Sequence, residues 1–121
     1  MRKQIEDRLI NFAAEVNKMK KFMEFSEHSE NLFNQLSRSS SSAALNYGEA
    51  LGAESRKDFT HKIGLVLKEI RESYNNLRII LKSGLYKGDK ADIESLIDEC
   101  NQLVAIFNKT SLSLKRKPNQ T

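Results

Sequence analysis

The sequence predicts an all-α protein, an antiparallel up-down-up-down four-helix bundle. Four segments carry apolar residues at steps of three and four, which is the spacing of one helix face. Short connections separate the segments, so consecutive helices are expected to run antiparallel. The composition agrees: 39% hydrophobic and 30% charged residues, one proline and no tryptophan, in a chain of 121 residues that suits one domain.

The first helix is predicted from Lys3 to Phe25. Its inner stripe alternates steps of four and three: Ile5, Leu9, Phe12, Val16, Met19 and Met23. Ser26 and Ser29 lie in the break that follows. Either serine is suited to cap the next helix, because a serine hydroxyl accepts hydrogen bonds from free backbone N–H groups.

The second helix is predicted from Glu30 to Leu51. One face collects its apolar residues: Leu32, Leu36, Ala43, Tyr47 and Ala50. The serine run at 37–42 has poor helix propensity, but the apolar register continues through it, which favours a helix over a linker. A separate face holds small residues: Ser37, Ser41, Gly48 and Gly52. That face favours close approach of another helix, inside the bundle or between subunits; the alternative is weak packing at a helix end.

The third helix is predicted from Arg56 to Ser83, between a turn at Gly52 and a glycine at position 84. Ser55 and Asp58 form a capping box at its start. Its inner stripe is the strongest periodic signal in the chain: Phe59, Ile63, Val66, Ile70, Leu77 and Leu81.

The fourth helix is predicted to begin after an N-cap at Asp89 and to end near Leu114. Its inner face is lined by Ile93, Leu96, Ile97, Cys100, Leu103, Val104 and Phe107. The bundle therefore occupies residues 1–114. Residues 115–121 form a basic tail that is predicted to be mobile.

Cysteine usage and hydropathy disfavour several classes of protein. Cys100 is the only cysteine, which leaves no internal disulfide and no cysteine pair for zinc. Its place on an apolar stripe favours a buried hydrophobe over a reactive thiol. No apolar run approaches the ~20 residues that cross a bilayer, and the N-terminus lacks a signal-peptide core. The sequence thus predicts a cytoplasmic protein without a membrane partner.

Catalysis has little support in the sequence. His28 and His61 lie far apart, and no cluster shows metal-ligand spacing. The serine run lacks a glycine-framed nucleophile elbow, and no Gly-rich phosphate loop occurs. Glu69 and Glu72 form a pair of carboxylates, but ion pairing between Lys68 and Glu72 explains them more simply. We therefore expect no enzymatic activity, no metal, no cofactor and no small-molecule substrate.

The distinctive charge feature is a row of cations on the third helix. At 100° per residue, five basic residues fall within about 80° of one another: Lys57, Lys68, Arg71, Arg78 and Lys82. No carboxylate falls in that arc. Such a row can follow a phosphate backbone, and Arg38, Arg56 and the tail would add to its field. The alternative is a solvated flank whose charges are neutralised by acidic residues of neighbouring helices.

The region from Gln35 to Ser73 carries a family resemblance. Its elements are Gln35-Leu36-Ser37-Arg38-Ser39, a serine-alanine run, Asn46 with Glu49-Ala50, Ser55 with Asp58-Phe59, Lys68-Glu69 and Glu72-Ser73. This pattern resembles the four-helix bundle family encoded in intervening sequences of bacterial 23S ribosomal RNA genes. The family often has Trp-Leu shortly after Glu-Ser, whereas this chain has Asn76-Leu77.

The resemblance implies a small antiparallel bundle that assembles into a ring, commonly a homopentamer. The chain is also similar to the accessory protein of diversity-generating retroelements, a pentamer with a basic surface that works with a reverse transcriptase and nucleic acid. For the family at large the molecular role is not established. What the resemblance implies for this chain is the fold, ring assembly and contact with RNA or DNA.

The polar residues of this region also have a structural interpretation. Ser55 and Asp58 are helix caps, and the others are predicted to join in an ion-pair network across helices or between subunits: Asn46, Glu49, Lys62, Lys68, Glu69 and Glu72. Our leading hypothesis is a non-enzymatic bundle that self-assembles and binds RNA or DNA weakly through a basic surface. The alternative is a protein-interaction scaffold with no nucleic-acid role.

Overall fold

The apolar stripes form four long helices in the computed structural model, which describes residues 2–116. Their bounds are α1 Arg2–Lys18, α2 Glu27–Leu51, α3 Arg56–Lys82 and α4 Lys90–Leu114, with a short 3-10 helix at Met19–Phe22. The most extensive contacts join α2 to α3 and α3 to α4, and α1 packs mainly on α2. The prediction of an all-α four-helix bundle is confirmed.

Side-chain caps set the start of α2, α3 and α4. The Ser26 hydroxyl accepts from the backbone N–H of Ser29 at 3.1 Å, and the Ser55 hydroxyl accepts from that of Asp58 at 3.0 Å. Asp89 caps α4 in the same way. Because Ser26 is the cap, α2 begins three residues earlier than the predicted Glu30.

The prediction that the first helix continues to Phe25 is wrong. The α-helix ends at Lys18, and after the 3-10 helix Met23 is extended and pairs with Tyr86 in the loop before α4. The Lys87 N–H donates to the Phe22 carbonyl at 2.7 Å, and a second bond of 2.8 Å joins the same segments. These tertiary hydrogen bonds satisfy backbone groups that a longer helix would have paired locally.

The inner stripes of all four helices meet in one continuous core. Its largest fully buried side chains are Leu9, Phe12, Val16, Leu36, Ile63, Val66, Ile70, Leu77, Ile80, Ile93, Leu103 and Phe107. Tyr47 and Phe107 meet edge to face, with their ring centroids 5.5 Å apart. Phe59, Leu81 and Tyr74 are only partly buried at the border of this core.

The α2–α3 contact contains a buried polar seam. The hydroxyls of Ser39 and Ser73 lie 2.7 Å apart, and both residues are almost fully buried. The Asn76 side-chain amide, 5% exposed, donates to the Leu32 carbonyl on α2 at 3.0 Å. The serine run is therefore helical because its small inward hydroxyls are paired and its neighbours are packed.

Two further contacts attach α1 to the rest of the bundle. The Ser37 hydroxyl donates to the Asn17 side chain at 2.7 Å, so part of the predicted small-residue face serves packing inside the bundle. On the other side, the Arg8 guanidinium binds the Glu99 carboxylate of α4 through bonds of 2.6 and 3.0 Å. Such bidentate geometry fixes the orientation of both side chains.

The predicted basic tail is described only in part. Lys115 and Arg116 are exposed at the end of α4, and residues 117–121 lie outside the described residues. Across residues 2–116, no helix combines the length and the hydropathy that a membrane span requires.

Two glycines should respond oppositely to substitution by alanine. Gly84 ends α3 with a φ of +69°, a conformation that a Cβ strains, whereas a Cβ at Gly64, inside α3, would meet no atom within 4 Å. We expect Gly84→Ala to lower the free energy of unfolding by about 1 kcal/mol. Gly64→Ala should raise it by about 0.5 to 1 kcal/mol. Urea unfolding followed by circular dichroism measures both, and changes of the same sign would contradict these assignments.

The single thiol offers a direct test of the core. Cys100 is fully buried, and its Sγ donates to the Ile70 carbonyl at 3.4 Å. Burial, with a smaller contribution from the charge of Glu99, raises the pKa of this thiol. A thiol reagent should therefore label the folded protein at least about 100-fold more slowly than the protein in 6 M urea, because labelling requires opening of the core. A folded-state rate within a few-fold of the unfolded one would show that Cys100 is accessible.

Candidate nucleic-acid interface

The two neighbours of α3 fix which way each of its faces points. Ser73 and Asn76 contact α2, whereas the Ile70 carbonyl accepts from Cys100 of α4. Arg71 donates to the Asn108 side chain, also on α4. Since successive residues turn by about 100°, the remaining cations of the row lie on the α4 side of α3, away from α2.

The α3 basic surface consists of the five cations predicted from the sequence. All are exposed: Lys57, Lys68, Arg71, Arg78 and Lys82. Within residues 2–116, none of them has a carboxylate within 4.0 Å. Their charges are therefore not neutralised by direct ion pairing with the described part of the chain.

Two of these arginines are held by neighbours that do not cancel their charge. The Arg71 guanidinium donates to a neutral amide oxygen of Asn108. The Arg78 guanidinium lies over the Tyr74 ring, 5.4 Å from its centroid, in a cation–π contact. Both guanidinium groups keep further N–H donors for an anion.

More cations gather at the end of α3 that carries Lys57. The Arg56 guanidinium donates to the carbonyls of Leu114 and Arg116 at 3.2 and 3.3 Å. It thus satisfies carbonyl groups at the C-terminus of α4 that lack helical partners. This contact places the exposed Lys115 and Arg116 at the same end of the bundle as Lys57.

Arg38 does not join the α3 basic surface. It lies on α2, beside a surface groove formed with Ser41, Ser42 and Leu45 of the same helix. Since α2 packs on the face of α3 that carries Ser73, Arg38 and the cations facing α4 are on different sides of the molecule. The sequence analysis expected Arg38 to strengthen the electrostatic field of the α3 cations. From this position it can do so only at long range.

The residues predicted to form a structural network are only partly joined within one chain. Lys62 of α3 and Glu49 of α2 form an ion pair at 2.9 Å, which raises the pKa of Lys62. Asn46 instead bonds Ser42 in its own helix. Ser55 is the N-cap of α3, and its hydroxyl accepts from the backbone of Asp58. Within the described residues, the predicted network is therefore represented by a single cross-helix ion pair, Lys62–Glu49.

Glu69 and Glu72 form an acidic flank on the side of α3 that faces α2. Neither carboxylate has a cation within 4.0 Å among residues 2–116. Glu69 is half-buried, and this burial, together with the charge of Glu72, raises the pKa of Glu69. The exposed Lys68 partly opposes that shift.

Sequence reasoning missed two contacts that shape this surface. The stacking of Arg78 on Tyr74 has a sequence signal, since the two residues are four apart on one helix. The bonds from Arg56 to the end of α4 have no signal in the sequence. Their partners, Leu114 and Arg116, are 58 and 60 positions away along the chain, and only the tertiary fold brings them together.

The other candidate groups are dispersed. His28 and His61 are both exposed, one near the start of α2 and the other in α3. In the part of the chain that the structure describes, no three His, Cys, Asp or Glu side chains gather where a metal ion could bind.

Comparison with known proteins gives a family match and a structural neighbour. The sequence model of the 23S rRNA-intervening sequence protein family matches residues 3–109. A crystal structure of a protein of unknown function from the S23 ribosomal protein family of Bacteroides thetaiotaomicron VPI-5482 is similar, with a TM-score of 0.77 and 23% identity. The match covers 88% of this chain and 97% of that chain, and at this identity it bears on the fold alone. Comparison with curated proteins gives no match.

Proposed function

Because this chain belongs to the 23S rRNA-intervening sequence protein family, we propose that it is a non-enzymatic bacterial bundle that self-assembles and binds RNA or DNA through the α3 basic surface. The observation that supports nucleic-acid binding most strongly is the row of exposed α3 cations without carboxylate partners in the described residues. Ring assembly, as a homopentamer, is proposed from the family resemblance.

The geometry of the row suits a phosphate backbone. From Lys57 to Lys82 the helix rises about 37 Å at 1.5 Å per residue. Over that length one strand of a duplex presents roughly ten phosphates. Cations that contact these phosphates displace condensed counterions, and the released ions drive binding.

The proposed binding is independent of base sequence. The row offers guanidinium and ammonium donors, which suit phosphate oxygens, and two of its arginines are already engaged by Asn108 and Tyr74. Such contacts position a protein on nucleic acid without reading its sequence. We therefore expect similar affinity for unrelated sequences of equal length and strandedness.

Self-assembly would multiply weak contacts. A ring of identical subunits carries one α3 basic surface per subunit, and several surfaces on one long nucleic acid act at a high effective concentration. Weak binding by one chain is thus compatible with firm retention of the assembled protein, provided that the nucleic acid spans more than one subunit.

The absence of catalysis is part of the proposal. His28 and His61 lie on separate exposed surfaces, and the only thiol is in the core. No pair of these groups is arranged as a nucleophile with a base to activate it. The proposal thus assigns the chain a binding role.

Charge reversal of three cations tests the assigned surface. The triple variant carries Arg71→Glu, Arg78→Glu and Lys82→Glu in one chain. We expect it to lose retention on RNA and DNA at moderate salt, because the phosphate contacts become repulsive. At low salt, the slope of log affinity against log salt should fall by about 2 to 3, since roughly one unit is lost per phosphate contact. Gel-shift titrations over a salt series measure both effects, and circular dichroism verifies that the helices remain.

A matched control removes the same charge elsewhere. Lys3, Lys87 and Lys90 are exposed and belong neither to the α3 basic surface nor to the cavity beside Phe25. The triple variant Lys3→Glu, Lys87→Glu, Lys90→Glu should therefore retain most of the binding. Equal losses in both triple variants would show that net charge, not the α3 surface, governs binding. An assembled wild-type protein without any salt-dependent shift would favour the protein-interaction scaffold instead.

A further inference from the structure

The outward face of α2 is nearly free of charge. Residues 31–48 include a single charged residue, Arg38, although 30% of the chain is charged. The solvent face of a surface helix is normally rich in charged side chains. Depletion of charge is instead typical of the central part of a protein–protein interface.

This face also presents a groove with an exposed apolar side chain. The groove has a volume of about 570 Å³, and all of its lining residues belong to α2. The small hydroxyl side chains of Ser41 and Ser42 lie in it, and Arg38 and Glu49 are its charged residues. Leu45 lies at its edge with 68% of its surface exposed. An apolar side chain beside a shallow, small-residue groove is a shape that a partner helix can cover closely.

A second cavity lies near the start of α2. That cavity, of about 640 Å³, shares Asn34 with the groove. Its lining combines apolar and charged side chains: Met23, Phe25, Phe33, Lys18, Lys20, Lys21, Glu24 and Glu30. Phe25 is fully exposed. From Glu27 to Leu45, α2 rises about 27 Å at 1.5 Å per residue, which is enough for contact with a whole helix.

Unpaired charges of opposite sign lie next to this surface. Arg38 has no carboxylate within 4.0 Å, and the neighbouring acidic flank, Glu69 and Glu72, has no cation within that distance among residues 2–116. Helix geometry puts Arg38 and Glu72 on the outer side of the α2–α3 pair. Arg38 on α2 and the acidic flank on α3 are two separate patches, so Arg38 of one copy can meet the acidic flank of the next copy in the head-to-tail contact that a ring requires.

We infer that copies of this chain bind one another through the outward face of α2, with Arg38 and Leu45, and through Phe25, which directly precedes the N-cap of α2. The occupant is a second copy, whose acidic flank meets Arg38 while Phe25 and Leu45 supply the apolar contact. This inference rests on the self-assembly in the proposed function. It leaves most of the α3 basic surface uncovered, because Arg71 lies on the α4 side, whereas Lys68 borders the acidic flank.

The apolar part of the interface is tested with a matched pair of variants. Leu45 and Leu112 are 68% and 66% exposed, on α2 and α4 respectively. We expect Leu45→Glu to weaken self-association at least about tenfold, because it buries a charge in the centre of the contact. Leu112→Glu should assemble like the wild type. Size-exclusion chromatography with light scattering over a concentration series measures this, and circular dichroism verifies folding.

The charge pairing is tested by exchange between chains. Arg38→Glu and Glu72→Arg should each assemble less tightly than the wild type, because each places like charges opposite one another. Mixing the two variants should restore much of the assembly, since up to four of the five contacts in a pentameric ring then join opposite charges. A third sample carries both substitutions, Arg38→Glu and Glu72→Arg, in one chain. If this double variant assembles and the mixture does not, the two residues pair within one chain, and the proposed pairing between copies is overturned.

The outcomes separate this inference from the proposal on which it rests. A wild-type chain that stays monomeric at every concentration would overturn both. Wild-type assembly that Leu45→Glu leaves unchanged would overturn the α2 interface alone and leave self-assembly in place. Assembly that is lost in Leu45→Glu and kept in Leu112→Glu supports the inferred face.

Discussion

The buried hydrogen bond between Ser39 and Ser73 fixes the rotation of α3 against α2, and the surface of the molecule depends on that rotation. The two hydroxyls lie 2.7 Å apart and are shielded from water. Turning α3 would break this bond at a cost of about 0.5 to 1.5 kcal/mol, while each hydroxyl would keep a carbonyl of its own helix, that of Leu36 or Glu69, as a partner. With Ser73 held towards α2, Arg71 is necessarily on the α4 side. A contact inside the bundle thus decides where the external charges lie.

The same rotation divides the exposed surface of α3 into two chemically different halves. The basic half lies beside α4, and the acidic flank of Glu69 and Glu72 lies beside α2. The proposed nucleic-acid surface and the proposed assembly surface therefore use different sides of the bundle and do not compete. Separation of this kind is needed if an assembled protein is to bind a polyanion, because an acidic flank within the basic row would repel phosphates.

The spacing of apolar residues was sufficient to predict the four helices and most of the core. The features that it did not predict depend on hydrogen bonds between segments that are distant in the sequence. The 3-10 helix after Lys18 depends on pairing with the loop around Tyr86, which the local sequence does not encode. The burial of Ser73 and Asn76 was missed because their partners are on α2. Arg38 was grouped with the α3 cations for a related reason: a helical wheel describes one helix and contains no information on how two helices face each other.

The serine run makes α2 a helix that depends on its neighbours. Its five serines in positions 37–42 cost about 2 to 3 kcal/mol relative to alanine, so the segment has little helical stability of its own. On the inner side this is offset by the core and by the Ser39–Ser73 bond. On the outer side the described chain provides no cover over Leu45. A second copy packed there would bind only the folded helix and would stabilise it by mass action, so assembly and the stability of α2 are expected to be coupled.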